Sequence, residues 1–541
     1  MQNTLRDRAI VEVRSRVLEA CLMQSRLEDG MPLDVLVNDT LYHERKRLEI
    51  DRKSPTWAED VAFWDGIKSR LGRSSEPEVK ATLEQIIGRF TEEIRGNFNP
   101  TLYGVATRVL PRALPVLLNA MSPKRLLSRG LPDIADTVQI QGNVEGLRRM
   151  NELGTVILTP THVSNLDSPV IGWAIYAMGL PAFTYGAGLN LFSNPVMSLF
   201  MRNLGAYRVD RQKTAPLYKD VLKEYATVSL ELGEPNLFFP AGTRVRSGKI
   251  EQKLKLGLLS SGLRAYVNNL LTKKDKPNIY IVPCTLNYHL VLEAESLIED
   301  HLQREGKAKY IILDDESTRA RKILNFTQNL VNLEARITVH IGDPIDPFGN
   351  QVDPATGESV DRHGRSIDIR RYVTDRQGTP THLPQRDRVY TADAGQAIAA
   401  EFLKHNVVVA TQLVAFTLWE TLRHRHRELD MYRLLRTGDE GSGTAITTLV
   451  QRVLKVYEAL HDRAQRHLLH LEAGAVQSGD AARILETALR HFGTYHTRPV
   501  LVRRGDRVFC EDMKLLNYYS NRLRGYSLEK ELEPLFKSEV A

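Results

Sequence analysis

Between Pro160 and Pro169 the chain reads P-T-H-V-S-N-L-D-S-P, with His162 five positions before Asp167. An imidazole paired with a carboxylate suits general-base activation of a hydroxyl. The imidazole takes the attacking proton, while the carboxylate fixes its tautomer and steadies the imidazolium. No serine nucleophile is required. The same spacing also fits an ordinary loop histidine followed by a helix-capping aspartate. The rest of the chain has to decide between the two.

Two residues five apart on one continuous helix sit about 140° apart around the axis, so the pair needs a bend between them. Thr155 to Thr159 is a short β-prone run after Gly154, and Ser168-Pro169 reads as an N-cap followed by proline at the first helical position. His162 then hangs in a strand-to-helix loop, with Asp167 where the helix begins.

Residues 141–346 alternate β-prone and helical runs, the pattern of an α/β domain in which a mixed β-sheet is flanked by helices. The expected strands are Thr155 to Thr159, Ala182 to Tyr185, Asn236 to Phe239, Ile279 to Thr285 and Ile337 to Ile341. Helices are expected around Leu217 to Leu230 and over Leu256 to Leu271. Residues 1–140 form an N-terminal helical region, with Ser74 to Pro77 as a linker between helices. Residues 347–393 are rich in Gly, Pro, Asp and Arg and read as a loop or linker. Residues 394–541 read as a mainly helical C-terminal region.

At 541 residues two or three domains are expected. Cys21, Cys284 and Cys510 lie far apart with no metal-ligand or disulfide spacing, which suits a reducing compartment. The net charge of +7 and pI near 9.1 point to anionic partners. No recognised nucleic-acid motif accompanies that charge, so no nucleic-acid partner is expected. The charged N-terminus lacks the apolar core of a secretory signal.

Ser168 to Met201 carries no charged residue or histidine, but its prolines and glycines divide it. Leu110 to Met121 is apolar with basic flanks. Leu110 to Met121 reads equally as a core-packing helix or a membrane-surface element, and Ser168 to Met201 as buried core or a surface dipping into one leaflet rather than a span. The run Arg423 to Arg427 reads as a solvated face, with a lipid-phosphate contact as the lesser alternative. His461, His467 and His470 lack a convincing carboxylate companion and read as surface histidines; no metal site is expected.

Two clusters follow His162. Gly205-Ala206-Tyr207-Arg208-Val209-Asp210-Arg211 brings a glycine and then an arginine after a helix. Phe238 to Lys249 runs from a strand into a loop bearing Gly242, Thr243, Arg244 and Arg246. Guanidinium forks match phosphate bidentately, and amides beside glycine add donors. Ile281 to Tyr288 reads as an apolar strand that stops at proline.

In this order the four blocks resemble the glycerolipid acyltransferase superfamily, with its His-x-x-x-x-Asp, glycine-to-arginine, Phe-Pro-Glu-Gly-Thr-Arg and proline-ended strand signatures. Asn97-Phe98-Asn99, Gly186 to Asn190, Tyr288 to Glu293, Ile341 to Ile345 and Leu516 to Asn521 narrow the likeness. They resemble the long bacterial-type glycerol-3-phosphate acyltransferases from about residue 90 onward.

The resemblance implies His162 as general base on the glycerol 1-hydroxyl and Asp167 as its orienting partner. It implies Arg211, Arg244 and Arg246 on the phosphate of glycerol 3-phosphate, with Gly205, Gly242 and Thr243 in the substrate loops. The acyl donor would be an acyl-CoA or acyl-ACP thioester, making acyl carrier protein a partner in the second case, and no cofactor is implied. Backbone donors near the His162 loop would stabilise the oxyanion. Work at a membrane lipid surface is implied too, peripheral or monotopic, on the cytoplasmic face of the inner (plasma) membrane.

Two positions depart from the pattern: Ala241 stands where the superfamily has glutamate, and Asp210 where nearer relatives have a basic residue. They leave open lysophosphatidate or dihydroxyacetone phosphate as acceptor, and a catalytically silent membrane-surface scaffold as a reading of another class.

Overall fold

The computed structural model describes residues 3–50, 52, 56–72, 74–96, 99, 138–188, 205–291, 293–304, 336–437, 443–494, 496 and 498–537. The apolar stretch Leu110 to Met121, the later part of Ser168 to Met201, and Asn97-Phe98 lie outside them.

Four helices open the chain: α1 (Asn3–Ser25), α2 (Leu33–Ile50), α3 (Trp57–Leu71) and α4 (Glu76–Ile94). The linker expected at Ser74 to Pro77 is shorter than its composition suggests. Ser75 caps α4, its backbone N–H donating to the Glu78 carboxylate at 2.6 Å, and Pro77 sits in the first turn, where its missing N–H costs nothing.

The α/β domain runs β1 (Val138–Gly142), α5 (Val144–Leu153), β2 (Thr155–Pro160), α6 (Asp167–Ala177), β3 (Thr184–Gly188) and β4 (Ala206–Val209). It continues α7 (Pro216–Glu231), β5 (Asn236–Leu237), α8 (Leu256–Leu271), β6 (Ile279–Tyr288), α9 (Ala294–Arg304) and β7 (Ile337–Ile341). The five expected strands are present. β1 and β4 escaped the sequence reading because each is short and carries polar residues on a half-covered edge.

The seven strands order as β1-β7-β6-β2-β5-β3-β4. β6, β2, β5, β3 and β4 are mutually parallel, and β7 runs antiparallel to β6, so the sheet is mixed. β2 and β6 are buried along their whole length, as central strands covered by helices on both faces must be. The carboxyl ends of the five parallel strands therefore share one edge, the usual place for a site in an open α/β sheet.

The N-terminal helices pack on this domain rather than stand apart from it. Val13, Val37, Trp64, Leu83 and Phe90 share a core with Leu217, Tyr218, Val221 and Tyr225 of α7. Buried Lys213 adds a polar tie, its ammonium 3.0 Å from Glu44 and 2.8 Å from Glu93, and 4.9 Å from the centre of the Phe90 ring. The packing of α1 to α4 thus holds the chain just beyond β4.

Beyond β7 lie β8 (Gln351–Val352), β9 (Ser359–Val360), α10 (Pro384–Lys404), β10 (Val407–Val408), α11 (Ala410–Arg425), α12 (Met431–Thr437), β11 (Thr444–Ala445) and α13 (Ile446–Gln465). They are followed by β12 (His470–Leu471), α14 (Ala481–Thr494), β13 (Leu501–Arg504), β14 (Arg507–Cys510) and α15 (Met513–Ser520). α11 is buried from Ala410 to Leu422 on every side and is the axis of this region. Its basic C-terminal turn faces the negative end of the helix dipole.

The stretch 347–393 is more ordered than its lack of periodicity suggests. Asp353, Asp361 and Asp375 each accept the amide two residues on, at 2.8–2.9 Å, and each turn closes at a left-handed glycine. Val352 and Val373 are buried, and α10 starts at Pro384, ten residues before the helical pattern resumes in the sequence.

Candidate active site

β2 ends at Pro160, and the next residue stays tied to the sheet: Thr161 N–H donates to Cys284 O at 2.9 Å, while its hydroxyl accepts from Leu286 N at 2.9 Å. The loop that follows turns back on itself. His162 Nδ1 lies 2.7 Å from Asp167 Oδ2. The same oxygen accepts Val163 N–H at 2.6 Å and Ser164 N–H at 2.9 Å, and Tyr288 donates its hydroxyl to Oδ1 at 2.6 Å.

Asp167 therefore caps the loop before α6 and the imidazole together. Leu166, not Ser168, occupies the N-cap position, and Pro169 stands inside the first turn rather than at its first residue. That arrangement frees the Asp167 side chain to point backward at the loop.

A carboxylate facing Nδ1 puts the ring hydrogen on that nitrogen and leaves a lone pair on Nε2. Among the described residues Nε2 has no hydrogen-bond partner. Asp167 is fully buried while the His162 side chain retains 16% exposure, so the acceptor side of the ring is reachable from solvent. Phe239 stacks on the imidazole, ring centres 4.1 Å apart, and holds its plane. This is the orientation that a base for an external hydroxyl requires.

The basic loops meet at the same edge. Arg244 donates to Glu293 at 3.1 Å, and Arg246 pairs with exposed Asp300 at 3.4 Å and reaches the Thr243 hydroxyl at 3.3 Å. Arg211 crosses over Gly188 and has no ion pair among the described residues. Burial, then the charges of Arg246 and Arg244, holds its guanidinium below the usual arginine range. Such a group of guanidinium ions has the chemistry to receive an anion.

Gly205 and Gly242 both have positive φ, 96° and 72°, so each supplies a turn that a larger residue would strain. Asp210 accepts Gln212 N–H at 2.8 Å and closes its own turn.

Three residues that the motif reading did not single out complete the site. Buried Glu251 accepts His162 N–H at 2.7 Å; burial pushes its carboxyl up to about 7. Glu293 accepts Ser164 Oγ–H at 3.0 Å and Asn165 N–H, besides binding Arg244. Tyr288 fixes Asp167. Tyr288 and Glu293 lay inside the block Tyr288 to Glu293, whose polar ends were the available signal. Glu251 offered none, since its neighbours Ile250 and Gln252 give it no pattern.

The amides of residues 162 to 166 are all engaged, by Glu251, Asp167, Asp167, Glu293 and Ser164 Oγ in turn, so backbone donors to an oxyanion would have to come from elsewhere near this loop.

The C-terminal segment Leu516 to Asn521 braces the third block from below. Gly248 approaches the Tyr518 carbonyl so closely that a Cβ there would lie 2.0 Å from that oxygen, and Asn521 donates to Ser247 O at 2.8 Å. A cavity of about 20 Å³ lies behind the pair, lined by Val163, Tyr288, Gln412, Tyr518 and Arg522 among others. It has room for a water and none for an acyl chain.

Residues 141–287 match the family model described as Acyltransferase. A glycerol-3-phosphate acyltransferase of Pseudomonas fluorescens is 26% identical over 309 residues, 56% of this chain and 33% of that protein. One of Pseudomonas putida is 27% identical over 335 residues, 59% of this chain and 36% of that protein. The chain thus matches about a third of the length of these curated relatives. A solved 1-acyl-sn-glycerophosphate acyltransferase from Thermotoga maritima aligns with 46% of this chain and 83% of its own at 15% identity and a TM-score of 0.23, a likeness too slight to carry an argument.

Proposed function

We propose that this chain is a glycerol-3-phosphate 1-O-acyltransferase, with an acyl-CoA or acyl-ACP thioester as donor. One observation carries the reading: an oriented His162–Asp167 pair with its Nε2 open stands at the same sheet edge as Arg211, Arg244 and Arg246. The acyltransferase match over residues 141–287 and the names of the relatives support it.

In the proposed reaction the three arginines hold the phosphate, leaving the 1-hydroxyl at His162 Nε2. The imidazole removes the hydroxyl proton as the oxygen attacks the thioester carbonyl. The new C–O bond forms, the C–S bond breaks, and the departing sulfur takes the proton back from the imidazolium. Asp167 keeps the ring in the productive tautomer and steadies its positive charge. The charge on the tetrahedral intermediate falls to groups other than the amides of residues 162–166.

The lipid product places this work at a membrane surface, reached peripherally, with the cytoplasmic face of the inner membrane as the proposed location. No helix among the described residues is long and apolar enough to cross a bilayer, and the net charge of +7 favours anionic headgroups.

The test is release of free thiol by the purified chain from acyl-CoA, and separately from acyl-ACP, with glycerol 3-phosphate, dihydroxyacetone phosphate and lysophosphatidate as parallel acceptors. Preference for glycerol 3-phosphate and loss of turnover in His162→Ala support the proposal. Preference for another acceptor overturns the substrate, and full turnover in His162→Ala overturns the mechanism. Absence of turnover with every acceptor is the outcome a silent scaffold requires.

A further inference from the structure

Far along the chain from the acyl-transfer motifs, three histidines from three different elements meet. His340 lies on β7, His405 follows α10, and His470 opens β12. His405 Nδ1 is 3.2 Å from His340 Nε2 and 3.4 Å from His470 Nε2. His340 and His405 are buried and His470 is partly exposed, so the cluster has a way in from one side. His470 is therefore not the surface histidine its neighbours His461 and His467 are. Its companions stand 65 and 130 positions earlier, where no local pattern connects them.

The geometry points to a divalent transition-metal site, of which Zn²⁺ is the natural occupant, with His340 Nε2, His405 Nδ1 and His470 Nε2 as ligands. Zinc–imidazole bonds of about 2.0–2.1 Å in a tetrahedral arrangement place ligand nitrogens roughly 3.3–3.4 Å apart. The two short contacts at His405 Nδ1 match that spacing.

Hydrogen bonding alone accounts for the cluster poorly. His405 Nε2 lies 2.8 Å from Glu401 Oε2, which puts the ring hydrogen there and leaves one lone pair on Nδ1. His340 Nε2 and His470 Nε2 both face that Nδ1, which with one lone pair or one hydrogen can satisfy only one of them, while His340 Nδ1 is buried with no hydrogen-bond partner among the described residues. A cation accepts all three lone pairs at once.

The surroundings fit a ligand set held in advance. Glu401, and behind it Asp343 at 3.5 Å from the same Nε2, supply the carboxylate that commonly orients a metal-binding imidazole. Glycine stands where the rings press on backbone: a Cβ on Gly142 would lie 2.8 Å from His340 Nε2, and one on Gly342 would lie 2.9 Å from the His405 ring. Three imidazoles favour zinc and its borderline neighbours over Mg²⁺ or Ca²⁺, which demand oxygen.

Such an ion would join β7 of the catalytic domain to α10 and β12 of the C-terminal region. Its place is structural: the site is separate from the His162–Asp167 pair, and no step of the proposed acyl transfer passes through it.

The test uses the full chain, stripped with a chelator and titrated with Co²⁺ and then Zn²⁺. The expected result is one equivalent of Co²⁺ with the intense visible absorption of a tetrahedral site, displaced by Zn²⁺, and a higher Tm for the metal-loaded protein. His470→Ala, at the accessible ligand, should lower metal affinity at least ~100-fold and abolish the band, and Glu401→Gln should lower affinity about 10–100-fold. His461→Ala and His467→Ala should change neither. Equal Tm values for metal-free His470→Ala and the metal-free parent establish that the variant is folded.

Absence of a saturable tetrahedral band, a band that survives His470→Ala, or a Tm indifferent to metal would each overturn the assignment. So would binding lost in Asp343→Asn but kept in His340→Ala, which would give the ion to Asp343, Glu401 and His405 instead.

Discussion

The Glu251 carboxylate accepts the backbone N–H of His162 at 2.7 Å, eighty-nine residues away in sequence, and it does so fully buried. The backbone of His162 is thus held from one side by Glu251, while its ring is held from the other by Asp167. The third motif block, where Ala241 replaces the superfamily glutamate, still delivers a carboxylate to the His162 loop ten residues later.

That burial has a pH signature. Glu251 is raised from its usual range to about 7, desolvation being the main cause. Below about pH 4.5 folded and unfolded chains are both protonated there. Between about 4.5 and 7 the unfolded carboxyl ionises first, so this group costs stability as pH rises, by about 3 kcal/mol in total. Glu251→Gln keeps an acceptor for His162 N–H without that cost. Relative to the parent, the variant should gain stability across this window in denaturant titrations, and a constant difference would contradict the assignment.

Acid should act in the opposite sense through His496. Its Nε2 lies 2.8 Å from the Tyr519 hydroxyl, and burial pushes the imidazole down to about 3. The folded state keeps it neutral while the unfolded state takes up a proton below about pH 6.5, so its share of stability is present above that pH and lost as pH falls toward 3. His496→Gln should flatten the parent's fall in Tm between pH 6.5 and 4; an unchanged slope would show that other groups govern acid unfolding.

Replacing Asp167 by Asn leaves the volume and removes the charge. Two amides, the imidazole and Tyr288 presently donate to its two oxygens, and an amide group cannot accept all four. Turnover should fall by about 10²–10⁴ with KM for glycerol 3-phosphate nearly unchanged, since the lost contribution is to proton transfer. Steady-state thiol release measures both constants, and a change confined to KM would assign Asp167 to substrate binding instead.

Arg211 separates binding from folding. It sits near two other guanidinium groups with no ion pair among the described residues, so the folded protein gains nothing from its charge. Arg211→Ala should raise KM for glycerol 3-phosphate about 10–100-fold, the worth of a charge-assisted phosphate bond, while leaving Tm unchanged or higher. Arg211→Lys should recover only part of the affinity, because an ammonium cannot grip phosphate bidentately. An unchanged KM in Arg211→Ala would remove this residue from the site.

Much of this arrangement was legible in the linear chain. The interval from His162 to Asp167, the strand before it and the basic loops after Gly205 and Gly242 are local features, and local features follow from propensity, turn chemistry and spacing. β2, β6 and β7 were readable because burial along their whole length makes their sequences largely apolar. What needed the folded chain was every contact between distant residues: Glu251 on the His162 amide, Tyr288 on Asp167, Arg211 beside Arg244 and Arg246, and His470 against His340 and His405. The order of strands in the sheet decides which loops share an edge, and that order is set by long-range packing, which leaves no periodic trace along the chain.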